Sequence, residues 1–316
     1  MTQAQVGIIG GTGLGDALMA AGGETVTVQT PFGPPSQPPV LSTWEGVNVA
    51  FLSRHGPGHR FNPSHVPYRA NVWALKSLGV TSIIASGAVG SLREEIKPGH
   101  LVVCDQVIDK THHRDATFFD EGIVAHVEFA EPFCPRLRTL ISRAAADLDM
   151  TIHHSATYVC MEGPQFSTRA EAHMHRQWGG DLIGMTCMPE AKLAREAEIC
   201  YALVALPTDY DCWRPADPAR PGDDLLSEIL ANLRDATERA IQLIRETLRK
   251  LPDHAESCSC KNALKLAIWS DRAKIDAAAR RRLDLLIGRY NTGSPAIEGT
   301  TPGVPSPLTT SSDRSP

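Results

Sequence analysis

The chain has 316 residues, of which 42% are hydrophobic and 21% charged, and its formal net charge is −5. No apolar run approaches the ~20 residues of a membrane span, and the slightly acidic balance argues against nucleic acid as the main partner. Residues 1–11 contain no basic segment followed by an apolar one. We therefore expect a cytoplasmic protein rather than a secreted or membrane protein.

Seven short apolar runs predict β-strands, and stretches with helical periodicity lie between them. Most of these runs are continuous rather than alternating, which is typical of strands that are covered on both faces. The alternation predicts an α/β fold in a single domain, with a mixed, twisted β-sheet flanked by helices. The predicted strands cover residues 6–9, 47–52, 83–85, 101–103, 157–159, 182–185 and 203–206, and the helices between them cover 66–78, 135–148, 168–178 and 190–197.

The C-terminal third of the chain begins with the longest predicted helix, residues 223–251, whose leucines and isoleucines form one apolar stripe. Two further helices are predicted over residues 260–269 and 276–286. In residues 291–316, 18 of 26 residues are Pro, Ser, Thr or Gly, a composition that buries too little apolar surface to stay ordered. We predict a domain over residues 1–290, with a C-terminal helical part over 258–290, and a disordered tail over 291–316.

Eight cysteines are scattered along the chain, mostly among apolar residues. This usage is typical of buried free thiols in a cytosolic protein, and one or two disulfide bonds are compatible with it. Cys258 and Cys260 follow His254, which gives three neighbouring candidates for a metal site. Because zinc needs about four ligands, no metal is predicted, and an inert or redox-active cysteine pair is preferred.

Three segments combine small residues with hydrogen-bond donors. Gly10-Gly11-Thr12-Gly13 follows the first predicted strand, where backbone N–H groups and the Thr12 hydroxyl can bind an anion. Arg54 and His55 follow the second strand, and a guanidinium beside an imidazole suits phosphate oxygens. Residues 86–91 are predicted to be a loop after the third strand, with further backbone donors. Together these segments predict one anion site without a metal; taken singly, a tight turn or a surface ion pair would explain them.

Three side chains nearer the C-terminus suit a planar ligand. Phe166 precedes the predicted helix 168–178, and its ring could stack on a base or, alternatively, belong to the core. Asp209 and Asp211 follow the predicted strand 203–206, so both carboxylates could bear on one ligand. Shared burial would push their pKa values apart and leave one of them protonated at neutral pH.

Seven motifs follow one another along the chain: Gly7 to Leu14, Ser53 to Gly56, Gly90 to Gly99, Ala130 to Pro135, Glu162 to Glu171, Gly184 to Thr186 and Thr208 to Trp213. In this order they resemble the trimeric purine nucleoside phosphorylase family over about residues 5–250. The resemblance implies the nucleoside phosphorylase fold and a pentosyltransferase that cleaves an N-glycosidic bond with phosphate.

The expected reaction converts 5′-methylthioadenosine and phosphate to adenine and 5-methylthioribose 1-phosphate, a step of methionine and purine salvage. Phosphate is then a co-substrate, no cofactor is expected, and the expected assembly is a homotrimer without nucleic-acid or membrane partners. Residue by residue, the resemblance implies Asp209 as the acid at purine N7, with Asp211 beside it. The implied phosphate ligands are Thr12, Arg54, His55, Gly87, Ala88 and Thr186, and the implied nucleoside ligands are Phe166, Ile183, Met185, Thr208, Asp209, Asp211, Leu225, Leu226 and, from the neighbouring subunit, His126.

Other functions remain as alternatives. A 6-oxopurine nucleoside or methylthioinosine phosphorylase is the nearest, although Ser167 stands where oxopurine-cleaving relatives carry Glu. Gly87 and Gly222 also depart from some members, and Gly222 implies a roomier 5′ pocket. A non-catalytic nucleoside-binding protein is a second alternative. A nicotinamide oxidoreductase is disfavoured because Asp16 stands at the third glycine of the dinucleotide fingerprint.

Overall fold

The computed structural model describes residues 3–214, 222–251 and 258–290, without the side chains of residues 222–226 and 228. The predicted tail, residues 291–316, and His254 lie outside the described residues. Eleven strands of the described part form one mixed sheet. They are β1 (Val6–Gly10), β2 (Glu24–Thr25), β3 (Val40–Trp44), β4 (Val47–Ser53), β5 (Ser82–Ser91), β6 (Leu101–Val103), β7 (Gln106–Asp109), β8 (Ile152–His153), β9 (Thr157–Cys160), β10 (Leu182–Gly184) and β11 (Cys200–Asp209).

Strand β5 lies at the centre of the sheet. It pairs in parallel with β1 and β11, and its last residues pair antiparallel with β10. On the other side of β1, β4 is also parallel. The parallel strands therefore end at one edge of the sheet, where ligands of α/β proteins usually bind.

Helices cover both faces of the sheet, as the continuous apolar strands predict. On one face, α2 packs against α5 over a large core cluster; on the other, α1, α3 and α6 pack over a second cluster. The helices are α1 (Leu14–Ala20), α2 (Tyr68–Ser77), α3 (Pro135–Ala145), α4 (Arg169–Gln177), α5 (Glu190–Glu196), α6 (Gly222–Arg249), α7 (Ala277–Arg282) and α8 (Asp284–Ile287). None of the helices in the described ranges is long and apolar enough to cross a bilayer.

Two predicted elements are wrong. Residues 86–91 are not a loop but the second half of β5, because both β11 and β10 supply strand partners there. Residues 260–269 form no α-helix: a 3₁₀ turn covers Ser259–Asn262, turns cover residues 263–267, and Ile268 then forms a β-bridge with Ala125. The predicted helix 276–286 is two short helices, α7 and α8.

Candidate active site

One group of small and polar residues lies where β1, β4 and β5 meet. A Cβ placed on Gly11 would come within 2.8 Å of Arg54 Nη1 and 2.9 Å of the Ser86 carbonyl oxygen. A Cβ on Gly87 would lie 3.5 Å from Thr186 Oγ1 and 3.9 Å from Arg54 Nη1. The fold therefore joins four segments that are distant in sequence. Because Gly11 and Gly87 have no side chain, their backbone is exposed beside the guanidinium of Arg54, an arrangement that suits a phosphate.

Arg54 is fully buried and held in one orientation. Its Nε and Nη2 donate to the two carboxylate oxygens of Glu190, each at 2.7 Å, and its Nη1 donates to the Ser86 carbonyl at 2.7 Å. Glu190 also accepts a hydrogen bond from the Tyr201 hydroxyl at 2.8 Å. Burial alone would lower the pKa of Arg54, but Glu190 raises it above its ordinary value. The cation is permanent, and two of its five N–H groups remain for a ligand.

His55 lies beside Arg54 and is neutral. Burial, and then the charge of Arg54, lower the pKa of His55 to about 4. Its Nδ1 lies 2.8 Å from the Phe61 carbonyl oxygen, which assigns the ring proton to Nδ1 and leaves Nε2 as an acceptor. His55 can therefore accept from a protonated phosphate oxygen but adds no positive charge at neutral pH.

The other predicted phosphate residues belong to β5 or follow neighbouring strands of the sheet. Thr12 is exposed in the turn between β1 and α1, and Ala88 is half-buried in β5 next to Gly87. Thr186 is buried and follows β10. The residues predicted to bind phosphate thus come from the ends of β1, β4 and β10 and from β5.

A second group of residues surrounds Gly90, farther along β5. A Cβ on Gly90 would lie 3.0 Å from Ile183 Cγ2, 3.1 Å from Asp211 Cβ and 3.2 Å from Asp209 Oδ1. Gly90 lies three positions after Gly87, which is about 10 Å along a strand. One strand therefore carries both the predicted anion site and the predicted base site.

Asp209 ends β11 and is largely withdrawn from water. Its Oδ2 accepts from Thr208 Oγ1 and its Oδ1 from the Asp211 backbone N–H, both at 2.8 Å. Burial raises the pKa of Asp209 above its ordinary value, and these two hydrogen bonds oppose that shift. A carboxyl group in such surroundings is a candidate proton donor.

Asp211 is the second carboxylate of the pair. Its backbone has a φ of 47°, which turns the chain sharply after β11. Burial and the charge of Asp209 raise its pKa, with burial the larger cause. Its Oδ2 is buried and has no hydrogen-bond partner among the described residues. Because buried polar atoms are normally paired, this oxygen is suited to a polar group of a ligand.

Arg114, which the sequence analysis does not predict as a site residue, fixes the loop after β9. Its Nη1 donates to the carbonyls of Met185 and Met188, and its Nη2 to that of Glu162, each at 2.6 Å. Burial alone would raise the pKa of Glu162, but hydrogen bonds from Ser64, the His112 backbone N–H and Arg114 lower it to about 2. Arg114 thus joins the loops that carry Met185 and Phe166.

The remaining predicted site residues are Phe166, His126, Leu225 and Leu226. Phe166 is 86% exposed, and the backbone carbonyl of the next residue, Ser167, accepts a hydrogen bond from Cys212 Sγ at 3.2 Å. His126 is exposed, and the centroid of its ring lies 5.1 Å from that of Trp269 in the C-terminal part. Leu225 and Leu226 lie in α6, and their side chains are outside the described part of the chain.

The mixed sheet flanked by helices, with polar residues gathered at the ends of its parallel strands, is the architecture of an α/β protein with its candidate site at that edge. A family model with the description "Phosphorylase superfamily" matches residues 5–249, and the chain belongs to this superfamily. This confirms the expected fold and the resemblance drawn from the seven motifs.

Individual relatives share the similarity over most of their length. The chain is 48% identical to the S-methyl-5′-thioadenosine phosphorylase of Geobacter sulfurreducens, over 90% of this chain and 98% of the relative. It is 45% identical to the enzyme of that name from Pyrococcus furiosus, over 83% and 98%. A crystal structure of a methylthioadenosine phosphorylase from an antarctic soil metagenomic library has a TM-score of 0.82 and 45% identity, over 90% of this chain and 99% of that one. The Schistosoma mansoni enzyme, solved with adenine, has a TM-score of 0.74 and 33% identity, over 90% and 98%.

Proposed function

We propose that this protein cleaves 5′-methylthioadenosine with inorganic phosphate and releases adenine and 5-methylthioribose 1-phosphate. The observation that carries the proposal is the placement of a buried arginine beside Gly87 and of a partly buried pair of aspartates beside Gly90, two positions about 10 Å apart along β5. The relatives named above, which act on methylthioadenosine according to their names, support the same substrate.

In the proposed reaction, phosphate binds between Arg54, the backbone at Gly87 and Thr186. It attacks the anomeric carbon on the face opposite the base, so the C–O bond forms as the C–N bond breaks. The dianion also stabilises the positive charge that develops on the sugar. Arg54 keeps its place through Glu190, so the anion site is organised before phosphate arrives.

The departing purine gains an electron pair and becomes a better leaving group when N7 is protonated. Asp209, whose pKa burial raises, supplies that proton in our proposal. The Thr208 hydroxyl can turn to the Val89 carbonyl, 3.4 Å away, when Asp209 Oδ2 carries the proton. Asp211 then accepts from the 6-amino group of adenine through its unpaired Oδ2.

A homotrimer in the cytoplasm completes the proposal. Three large apolar side chains, Val124, Leu266 and Trp269, are 49%, 74% and 74% exposed near His126. The Trp269 backbone N–H donates to the Val124 carbonyl at 3.0 Å, so two of the three are neighbours. Exposed apolar residues gathered in this way are typical of a subunit contact, and a neighbouring subunit would bring His126 to the 5′ end of a nucleoside. The eight cysteines, none of which forms a disulfide, suit a reducing compartment.

Substrate preference tests the proposal. We expect kcat/KM for methylthioadenosine to exceed that for inosine by at least about 100-fold, because the 6-oxo group of inosine would place an acceptor against the acceptor Asp211 Oδ2. The measurement is the initial rate of base release in saturating phosphate. Equal kcat/KM for the two nucleosides would favour the 6-oxopurine alternative and contradict this account of the base site.

A further inference from the structure

Four of the eight cysteines converge at one buried place away from the nucleoside site. The sulfur atoms of Cys134, Cys200, Cys258 and Cys260 all lie within 4.8 Å of one another, and all four residues are buried. The sulfur atoms of Cys134 and Cys258 are 3.4 Å apart. We call these four residues the thiol cluster.

The residues of the thiol cluster come from three separate parts of the fold. Cys134 directly precedes α3, and Cys200 is the first residue of β11. Cys258 and Cys260 flank the start of the 3₁₀ turn that opens the C-terminal part. The cluster therefore links segments that are 58 residues or more apart in sequence, where no local turn would bring thiols together.

The spacing of the sulfur atoms suits a tetrahedral metal centre. With Zn–S bonds of about 2.3 Å, the sulfurs of a tetrathiolate lie about 3.8 Å apart. A disulfide instead requires about 2.05 Å between its two sulfurs. None of the four cysteines is in a disulfide bond. The Cys134–Cys258 sulfur distance of 3.4 Å and the 4.8 Å within which all four sulfurs lie are consistent with the sulfur spacing of a zinc tetrathiolate.

The charge around the cluster is favourable as well. A zinc ion with four thiolates carries a net charge of −2. The guanidinium of Arg136 donates from Nη2 to Cys200 Sγ at 3.7 Å. Its Nε is buried and has no hydrogen-bond partner among the described residues. Arg136 therefore supplies a positive charge, with donor capacity to spare, where a thiolate cluster would need it.

We propose that the thiol cluster binds one zinc ion through all four cysteines as a closed structural site. On binding, each thiol loses its proton, so one Zn²⁺ and four S–H groups give the tetrathiolate and four protons. With four protein ligands, no coordination position is left for water or substrate, so the ion takes no part in the cleavage of the nucleoside.

The zinc would fasten the C-terminal part, residues 258–290, to the sheet. The cluster would add to contacts that this part already makes with the body of the protein: the Leu264 backbone N–H donates to Glu198 at 3.0 Å, the His126 backbone N–H donates to the Ala267 carbonyl at 2.8 Å, and Arg282 pairs with Asp120 at 2.7 Å. Because His126 lies against this part, the zinc would also steady the surface that faces a neighbouring subunit.

Metal content is the direct test. We expect one zinc per chain in the full-length protein purified without added chelator, and, after exchange with Co²⁺, the intense thiolate-to-cobalt charge-transfer absorption of a tetrahedral tetrathiolate. Alkylation under denaturing, metal-free conditions should label all eight cysteines. Protein without zinc whose thiols are all free, or protein in which four cysteines resist alkylation until reduced, would overturn the proposal.

Variants separate zinc binding from general loss of folding. Cys258→Ser with Cys260→Ser should lose the zinc, whereas Cys104→Ala, a change at another buried cysteine, should retain it. A strong chelator added to the wild type should lower Tm by about 10 °C, and Zn²⁺ but not Mg²⁺ should restore it. Zinc retained by the double variant, or a Tm unaffected by the chelator, would contradict the site even if every protein folds.

Discussion

Asp209→Asn is expected to lower kcat for methylthioadenosine about 10²–10⁴-fold, because an amide cannot deliver the proton that purine N7 requires. The fold should be retained, since Asn keeps an oxygen for the Asp211 N–H and the Thr208 hydroxyl can turn to Val89. The acid form of Asp209 is lost as pH rises through its raised pKa, so kcat of the wild type should fall with rising pH. The measurement is kcat against pH, with Tm as the check on folding.

Asp211→Asn is the matched control for this experiment. The substitution is the same and lies two residues away, but Asp211 is assigned to the 6-amino group rather than to N7. We expect its main effect to be a higher KM for the nucleoside, with kcat lowered less than in Asp209→Asn. If Asp209→Asn keeps kcat within about threefold of wild type, or if Asp211→Asn loses as much, the assignment of the acid is wrong.

Glu190→Gln is expected to reduce the free energy of unfolding by about 3–5 kcal/mol, because it leaves the buried charge of Arg54 without its partner. Both side chains are fully buried and 2.7 Å apart. The freed guanidinium should also lose its orientation and raise the KM for phosphate more than that for the nucleoside. Chemical denaturation and steady-state kinetics with phosphate varied measure the two effects.

Two further variants test whether the effects of Glu190→Gln arise from the unpaired charge of Arg54. Arg54→Met with Glu190→Gln removes the unpaired charge, so stability should recover towards wild type while phosphate-dependent activity stays low. Glu45→Gln breaks ion pairs of similar length to Arg245 and Arg249 at the surface and should change stability little. A destabilisation by Glu45→Gln as large as that by Glu190→Gln, or recovery of activity in the double variant, would argue against an anchored Arg54.

Local sequence patterns predicted the elements that frame the site. The apolar runs 6–9, 47–52 and 203–206 correspond to β1, β4 and β11, and Thr168 caps α4 through a reciprocal pair of hydrogen bonds with Glu171. Residues at strand ends, such as Arg54 and Asp209, could be selected because polar groups that follow buried strands meet at one edge of a sheet. These features depend on neighbours in sequence.

Features that depend on distant contacts were not predictable in the same way. Glu190 lies 136 residues from Arg54, and nothing near either residue indicates the pair. Arg114 acts on backbone carbonyls, which leave no signal in a sequence. The glycine-rich run of residues 86–91 predicts a loop from its sequence alone, and it is a strand because β10 and β11 pair with it. Cys258 and Cys260 gave too few ligands for a metal until the fold brought Cys134 and Cys200 to them.

The dependence of adenine release on phosphate tests the central claim most directly. Purified protein is incubated with methylthioadenosine in phosphate buffer and in a phosphate-free buffer of equal ionic strength, and adenine and the sugar product are quantified by chromatography. We predict that adenine appears only with phosphate, in equal amount to 5-methylthioribose 1-phosphate. Adenine released at the same rate without phosphate, together with free methylthioribose, would mean that water is the nucleophile and would contradict the assignment of the Arg54 site.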